Sequence, residues 1–358
     1  MQKLDVAVLG ATGAVGQRFI QLLENHPWFR VAEVIGSERT AGRTYGEAAR
    51  WVLDGQPPES VAGLTVLGLD DSFSSPLIFS ALPTDAAKTR EVELAAAGHV
   101  VCTNASVNRM VDDVPLILPE VNGDHARLVE VQRRKRGYST GAVVANSNCT
   151  AMPVVMALAP LRQFGISKIH VVSQQAISGA GYPGVSALDI VDNIIPYVSN
   201  DEEKLETETL RMLGQLEDEQ VTWLDAVIGA TCTRVGVIDG HTVHVSVTLD
   251  AQPTLDEVRA AWEAMPGLPH LPSAPRQPLH YLTQIDRPQP RRDRMAGNGM
   301  TTSIGRLRPC PLLGYKFVAL SHNTIRGAAG GSILNAELLA VEGYLPDFQP
   351  ADVAQTPA

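Results

Sequence analysis

Cysteine is scarce in this chain: Cys102, Cys149, Cys232 and Cys310 are the only four in 358 residues. They form no CxxC pair and no Cys/His cluster with zinc spacing, which argues against a structural metal. Long apolar runs are missing too. None reaches membrane-spanning length, and Met1-Gln2-Lys3 leads straight into a strand-like run without the marks of a secretory signal. The expected compartment is the cytoplasm, with reduced thiols. Positive charge is outnumbered, leaving a formal net charge of -10. That excess of acid argues against non-specific binding to nucleic acid or to anionic membranes, while allowing a local basic pocket. Internal repeats and low-complexity tracts are absent. With 44% hydrophobic and 19% charged residues, the composition is that of a folded protein with a sizeable core. The length suits two domains.

Leu4 to Leu9 reads as a strand, Gly10 to Gly16 as a glycine loop, Arg18 to Asn25 as a helix and Val31 to Ile35 as a second strand. Further strands are expected at Leu77–Leu82, His99–Cys102 and Leu116–Leu118. This alternation predicts an α/β, Rossmann-type dinucleotide-binding domain over residues 1–148. Beyond it the strands lengthen: Ile166–Ile177, Ala226–Val237 and His241–Leu249. Asp239-Gly240 reads as a hairpin turn between the last two. Asp189–Tyr197 and Glu202–Leu216 read as helices, and the Pro-rich, basic stretch Pro266–Arg294 as loop. The expectation for 149–326 is an α+β catalytic and dimerisation domain with a mixed sheet. A C-terminal helix over 327–345 is expected to pack back on the first domain.

The glycine loop reads G-x-x-G-x-x-G at Gly10, Gly13 and Gly16. Glycine there permits the sharp turn and lets the backbone, through Thr12, Ala14 and Val15, approach a pyrophosphate. An acidic residue at the end of the second strand would hold the ribose hydroxyls of NAD. Here that position leads into Ser37-Glu38-Arg39-Thr40. Ser37, Arg39 and Thr40, with Arg43 beyond, suit a 2′-phosphate, so NADP is the expected cofactor. Glu38 is the dissenting residue.

Cys149 follows the apolar run Ala142–Ala145 and precedes Ala151-Met152-Pro153-Val154-Val155. Strand, tight turn and helix in that order place its thiol at a helix N-terminus, where free N–H groups favour the thiolate. A thiolate there attacks carbonyl carbon. A lone cysteine more often fills space; a Gln, an Arg and a His downstream shift the balance. If Asp239-Gly240 is a two-residue hairpin turn, Arg234 and His241 share a face about 13 Å apart, by the usual strand rise, with room between them for a small dicarboxylate.

Together the motifs GATGAVG, SERTAGR, NASVNRM, SNCTAMP, QQAISGAG, NIIPYVSNDEEK, RVGVIDGH and SHNTIRGAAGGSILNAE resemble the aspartate-semialdehyde dehydrogenase family over nearly the whole chain. The likeness is to its archaeal and fungal branch. The resemblance implies a reversible, NADP-dependent reductive dephosphorylation of L-aspartyl 4-phosphate, through a thioester on Cys149. It implies His241 as general acid/base, Gln175 as a substrate contact beside the thiol, and Arg234 on the substrate carboxylate. Arg109 and Lys204 match cations that hold phosphate, and Asn148, beside the thiol, is expected to orient the reacting carbonyl. Ser178, Gly179 and Asn323 match cofactor contacts. The acid that meets substrate is Asp201, Glu202 or Glu203. A homodimer or homotetramer is expected. Competing readings are a malonyl-CoA reductase or an N-acetylglutamyl-phosphate reductase on the same plan, and a non-catalytic NADP-binding sensor.

Overall fold

A computed structural model describes residues 3–346, 348 and 350. Its first sheet has seven strands: β1 Leu4–Leu9, β2 Phe29–Ile35, β3 Val66–Leu67, β4 Leu77–Ser80, β5 Val100–Thr103, β6 Leu116–Ile117 and β7 Ala142–Asn146. They run parallel in the order β3-β2-β1-β4-β5-β7-β6. β4, β5 and β7 are buried at every position, as expected of parallel strands covered on both faces. Phe19 and Ile20 of the Ala14–Leu23 helix and Leu334 of the Gly330–Val341 helix pack with Val6, Val8, Phe79 and Val144 on one face. Leu94 of the Thr84–Ala96 helix packs with Leu9, Ile78 and Val101 on the other. The strand order reverses between β1 and β4, and a ligand crevice is expected at the carboxyl ends of that pair.

The second sheet holds β8 Ile166–Gln175, β11 Val227–Arg234, β12 His241–Leu249, β13 Leu279–Leu282, β14 Thr302–Cys310 and β15 Gly314–Ser321. Its order is β11-β8-β12-β15-β14-β13, and a small hairpin, β9 Gln215–Glu217 with β10 Gln220–Thr222, stands apart. The sheet is mixed: β11 is parallel to β8, whereas β12 is antiparallel to both β8 and β15. β8 alternates buried and less buried positions. Its inner face meets the Ala151–Leu158 helix, which is buried at every residue, while His170, Gln174 and His244 stay exposed on the other face.

Three expectations are corrected. Asp239 lies at a bend and Gly240 has φ +101, but the pair joins no hairpin: β8 lies between β11 and β12. The 235–240 segment passes the end of β8 instead, with Val235 N–H donating to Gln175 O and Ile177 N–H to Val237 O. The helix expected over 189–197 is one turn, Ala187–Ile190. Beyond it Ile195 exchanges two backbone hydrogen bonds with Arg234, so the edge of β11 holds this segment extended. Within the expected loop 266–294 lie β13 and the helical turn Pro290–Asp293.

Candidate active site

The glycine loop sits at the crevice. Gly10 has φ +71, and a Cβ there would lie 2.8 Å from Ala81 O; one on Gly16 would lie 2.2 Å from Gly10 O. Only glycine gives a turn this close to the neighbouring strand. Gly13 caps the Ala14–Leu23 helix with no side-chain hydrogen bond, and no acid occupies the first turn. The N–H groups of Ala14 and Val15 at that helix start therefore suit an anion. Past β2, Ser37, Glu38 and Arg39 are exposed. Thr40 spends its hydroxyl on Ser37 O at 2.9 Å, and Arg43 donates to Glu47 O. Among the described residues Arg39 makes no hydrogen bond or ion pair and is the cation left for a 2′-phosphate. These features fit a dinucleotide carrying that phosphate.

Cys149 lies between β7 and the Ala151–Leu158 helix, one residue before the N-cap Thr150. Asn148 sets up this turn. Its side-chain oxygen accepts from Thr150 N–H at 2.7 Å and Ala151 N–H at 3.1 Å. Its Nδ2 donates to Asp201 Oδ1 at 3.1 Å. Asn148, expected to orient the reacting carbonyl, thus has its oxygen bonded to the turn that carries Cys149 and one amide N–H bonded to Asp201. Behind the thiol, a Cβ on Gly327 would lie 2.8 Å from Cys149 Cβ, so a glycine is required for the C-terminal segment to close on the nucleophile.

Three strand ends supply the other wall. Gln175 ends β8, Arg234 is its register partner at the end of β11, and His241 begins β12. His241 Nε2 is 3.2 Å from Cys149 Sγ. A Cβ on Gly179 would lie 2.7 Å from Arg234 Nη1 and 3.1 Å from His241 Nε2. Guanidinium and imidazole are therefore neighbours rather than walls about 13 Å apart. Arg234 Nη1 also donates to Ala176 O at 2.7 Å.

Asp201 opens the Asp201–Met212 helix and resolves which acid faces the site. It accepts from Gln175 Nε2 at 2.7 Å and Asn148 Nδ2 at 3.1 Å, and Lys204 Nζ lies 3.7 Å from it. Glu202 instead accepts from Cys232 N–H, and Glu203 is exposed. Arg109 is buried; its Nη1 donates to Glu208 Oε1 at 3.0 Å and its Nη2 to Asn104 O at 2.7 Å. Arg109, Asn148, Cys149, Gln175, Asp201, Lys204 and Arg234 line one cavity of about 260 Å³. Thr84, Asn104 and Ser106 line its other side, from the ends of β4 and β5. Sequence reasoning passed over these three and Glu208, although NASVNRM contains two of them. A larger cavity of about 690 Å³, between Leu22, Arg276 and Met300, contains none of the expected site residues.

Of the expected cofactor contacts, Ser178 and Asn323 bond to each other, with Asn323 Nδ2 donating to Ser178 Oγ at 2.8 Å. Asn323 Oδ1 accepts from Gly240 N–H at 2.8 Å, which leaves one amide N–H for a ligand.

Electrostatics overturn one expectation. Burial pushes the Cys149 thiol up to about 12, with the Asp201 carboxylate adding to it, and Arg109 and Arg234 offset this only in part. Burial first, then Arg234 and His322, push His241 down to about 3. The ligand-free pair is thus a neutral thiol beside a neutral imidazole, burial outweighing the helix N–H groups that the sequence reading expected to favour the thiolate. The imidazole tautomer is also set. Ala176 N–H donates to His241 Nδ1 at 3.0 Å, so Nδ1 carries the lone pair and Nε2 the proton. Toward sulfur or a carbonyl oxygen, His241 is a donor.

A family model described as the semialdehyde dehydrogenase NAD binding domain matches residues 5–129. A second, described as the semialdehyde dehydrogenase dimerisation domain, matches residues 158–326. The aspartate-semialdehyde dehydrogenase of Archaeoglobus fulgidus is 45% identical over 95% of this chain and 99% of the relative. The chain belongs to the aspartate-semialdehyde dehydrogenase family. The Aspergillus fumigatus member is 42% identical over 96% of this chain and 99% of its own length. A crystal structure of aspartate semialdehyde dehydrogenase with NADP from Candida albicans superimposes with a TM-score of 0.87 at 38% identity. It covers 96% of this chain and 100% of that one. The family resemblance to archaeal and fungal members and the two-part α/β architecture read from the sequence both hold.

Proposed function

We propose that this chain reduces L-aspartyl 4-phosphate to L-aspartate 4-semialdehyde and phosphate, reversibly, through a thioester on Cys149. The step serves biosynthesis of lysine, threonine, methionine and isoleucine. The observation that carries the reading is one small cavity lined by Cys149, the Arg234 and Arg109 guanidiniums, Lys204 and the Asp201 carboxylate, with His241 Nε2 3.2 Å from the Cys149 sulfur. The substrate's charges complement these groups. Arg234 suits the α-carboxylate, Asp201 the ammonium, and Arg109 with Lys204 the phosphoryl group.

In the reductive direction the sulfur of Cys149 adds to the acyl carbon. His241 Nε2–H donates to the carbonyl oxygen as it gains charge, a donor fixed in place before reaction. The C–O bond to phosphate breaks, the thiol proton leaves with the phosphate, and Arg109 and Lys204 hold the departing anion. Gln175 and Asn148, both tied to Asp201, keep the strand end and the nucleophile turn in register. Gly10, Thr12, Gly13, Ala14, Val15, Ser37 and Arg39, with Ser178, Gly179 and Asn323, would hold NADPH, which would supply the hydride. His241 again donates to the oxyanion; as the C–S bond breaks and the aldehyde leaves, the sulfur takes the Nε2 proton from 3.2 Å away, and the imidazole regains a proton from solvent.

The domain division at 148/149 fits this scheme, with the dinucleotide crevice on one sheet, the imidazole and guanidinium on the other, and the acid on the Asp201–Met212 helix beside it. The dimerisation-domain match supports assembly of this chain with itself. Exposed Leu188, Val191, Ile194 and Tyr197 support a homodimer formed through the second domain. The test is a spectrophotometric assay of the purified protein. Aspartate semialdehyde with NADP should give phosphate-dependent NADPH formation, and malonyl-CoA with NADPH should give none. Turnover only with malonyl-CoA would reject the proposal.

A further inference from the structure

One face of the Asp201–Met212 helix does more than contribute Asp201 and Lys204. Seven residues on, two helical turns away, Glu208 is buried, 1% exposed. Its two oxygens face different partners. Oε1 accepts from Arg109 Nη1 at 3.0 Å, and Oε2 accepts from the backbone N–H of Asn148 at 2.6 Å. Three residues further, Arg211 donates to the carbonyls of Arg109, Val111 and Val114. The helix thus grips the Arg109 loop by side chain and by backbone, and the same carboxylate holds the peptide one residue before Cys149.

A buried carboxylate is costly unless paired and hydrogen-bonded. Burial raises Glu208 above the usual carboxylate range, while Arg109 and the Asn148 N–H pull it back. Retaining a charge at this depth needs a return, and the arrangement shows one. Arg109 is also anchored to Asn104 O at 2.7 Å, and its Nε is buried without a partner. Its reach into the cavity therefore depends on where Glu208 holds Nη1.

We propose that Glu208 is a positioning residue that sets the phosphate-holding Arg109 and the Cys149 turn relative to each other. It touches neither substrate nor cofactor. This inference rests on the phosphate chemistry proposed above for the same site. A carboxamide cannot replace it: one end of Gln accepts, but the other presents N–H groups to Arg109 or to the Asn148 N–H.

The experiment compares wild type, Glu208→Gln and Glu208→Asp in the oxidative assay, varying phosphate and aspartate semialdehyde separately, with a melting curve for each protein. The expected result for Glu208→Gln is a phosphate KM raised about tenfold or more and a lower kcat, with the aspartate-semialdehyde KM within about twofold of wild type. Glu208→Asp keeps the charge but is one methylene short, so it should show the same selective rise in smaller measure; it carries the test if the Gln variant does not fold. Equal change in both KM values, or an unchanged phosphate KM in a folded variant, overturns the inference. Absence of phosphate-dependent turnover in wild type would instead defeat the proposed function.

Discussion

Replacing Gly179 by alanine isolates catalytic geometry from stability. Gly179 is exposed and its φ lies outside the left-handed region, so an alanine fits its backbone. The added Cβ would meet Arg234 Nη1 at 2.7 Å, His241 Cε1 at 3.0 Å and His241 Nε2 at 3.1 Å. Ordinary contact begins at 3.4 Å. Relative to the added Cβ the guanidinium must therefore retreat by about 0.7 Å and the imidazole by about 0.4 Å, and a displacement near 1 Å at a reacting centre costs on the order of 100-fold. The expectation for Gly179→Ala is a kcat/KM about 10- to 100-fold below wild type, about 1.4–2.7 kcal/mol of transition-state stabilisation. The melting temperature should move by no more than a few degrees, since surface substitutions stay within roughly 0.5 kcal/mol. The assay is phosphate-dependent NADPH formation beside a thermal melt. Wild-type kcat/KM in a folded Gly179→Ala enzyme would refute the placement of imidazole and guanidinium on either side of this residue. Gly327→Ala is the contrasting case: its Cβ would press on Cys149 Cβ at 2.8 Å inside the protein, so activity and melting temperature should fall together.

Cys149→Ser should abolish phosphate-dependent turnover, by at least about 1000-fold, because the hydroxyl is a far weaker nucleophile at neutral pH; persistent full turnover would remove the thioester route. Arg39→Ala should raise the KM for NADP about tenfold or more and leave that for NAD nearly unchanged, read from initial rates with each cofactor; equal effects on both would place the 2′-phosphate elsewhere. His241 at about 3, and His125 and His322 each at about 4, take up protons less readily when folded than at their usual 6.5. Between those values the unfolded chain binds more protons, so stability rises with pH and is lost as pH falls from about 6.5 toward 4. Each histidine costs about 1.4 kcal/mol per pH unit in that window. Urea denaturation from pH 7 to 4.5 should show the decline; a flat profile would contradict it.

Much of this was legible in the sequence, for physical reasons that differ by element. The glycine loop was, because Gly10 and Gly16 answer a local steric demand that no other residue meets. The Cys149 turn was, since strand, turn and helix signals are all short-range. The pairing of β11 and β12 was not. Asp239-Gly240 has the chemistry of a tight turn, yet which strands pair depends on contacts across the sheet, and β8 took the place between them. The 189–197 segment shows the same limit, its helical spacing yielding to backbone bonds with Arg234. Asp201, Glu202 and Glu203 are equivalent in composition, and only the helix direction puts the first in the cavity. Glu208 gave no signal, because an acid in a polar helix reads as solvated surface until Arg109, 99 residues earlier, folds onto it.

Gln175, Arg234 and His241 hang from one sheet and the glycine loop from another, with the Gly327 segment wedged behind the sulfur. Leu116 and Val143 of the first sheet share one apolar cluster with Met152, Val171 and Val245 of the second domain, so the spacing between cofactor crevice and imidazole is held by packing common to both. A truncation inside that shared cluster would touch no reactant and would still shift the imidazole against the crevice.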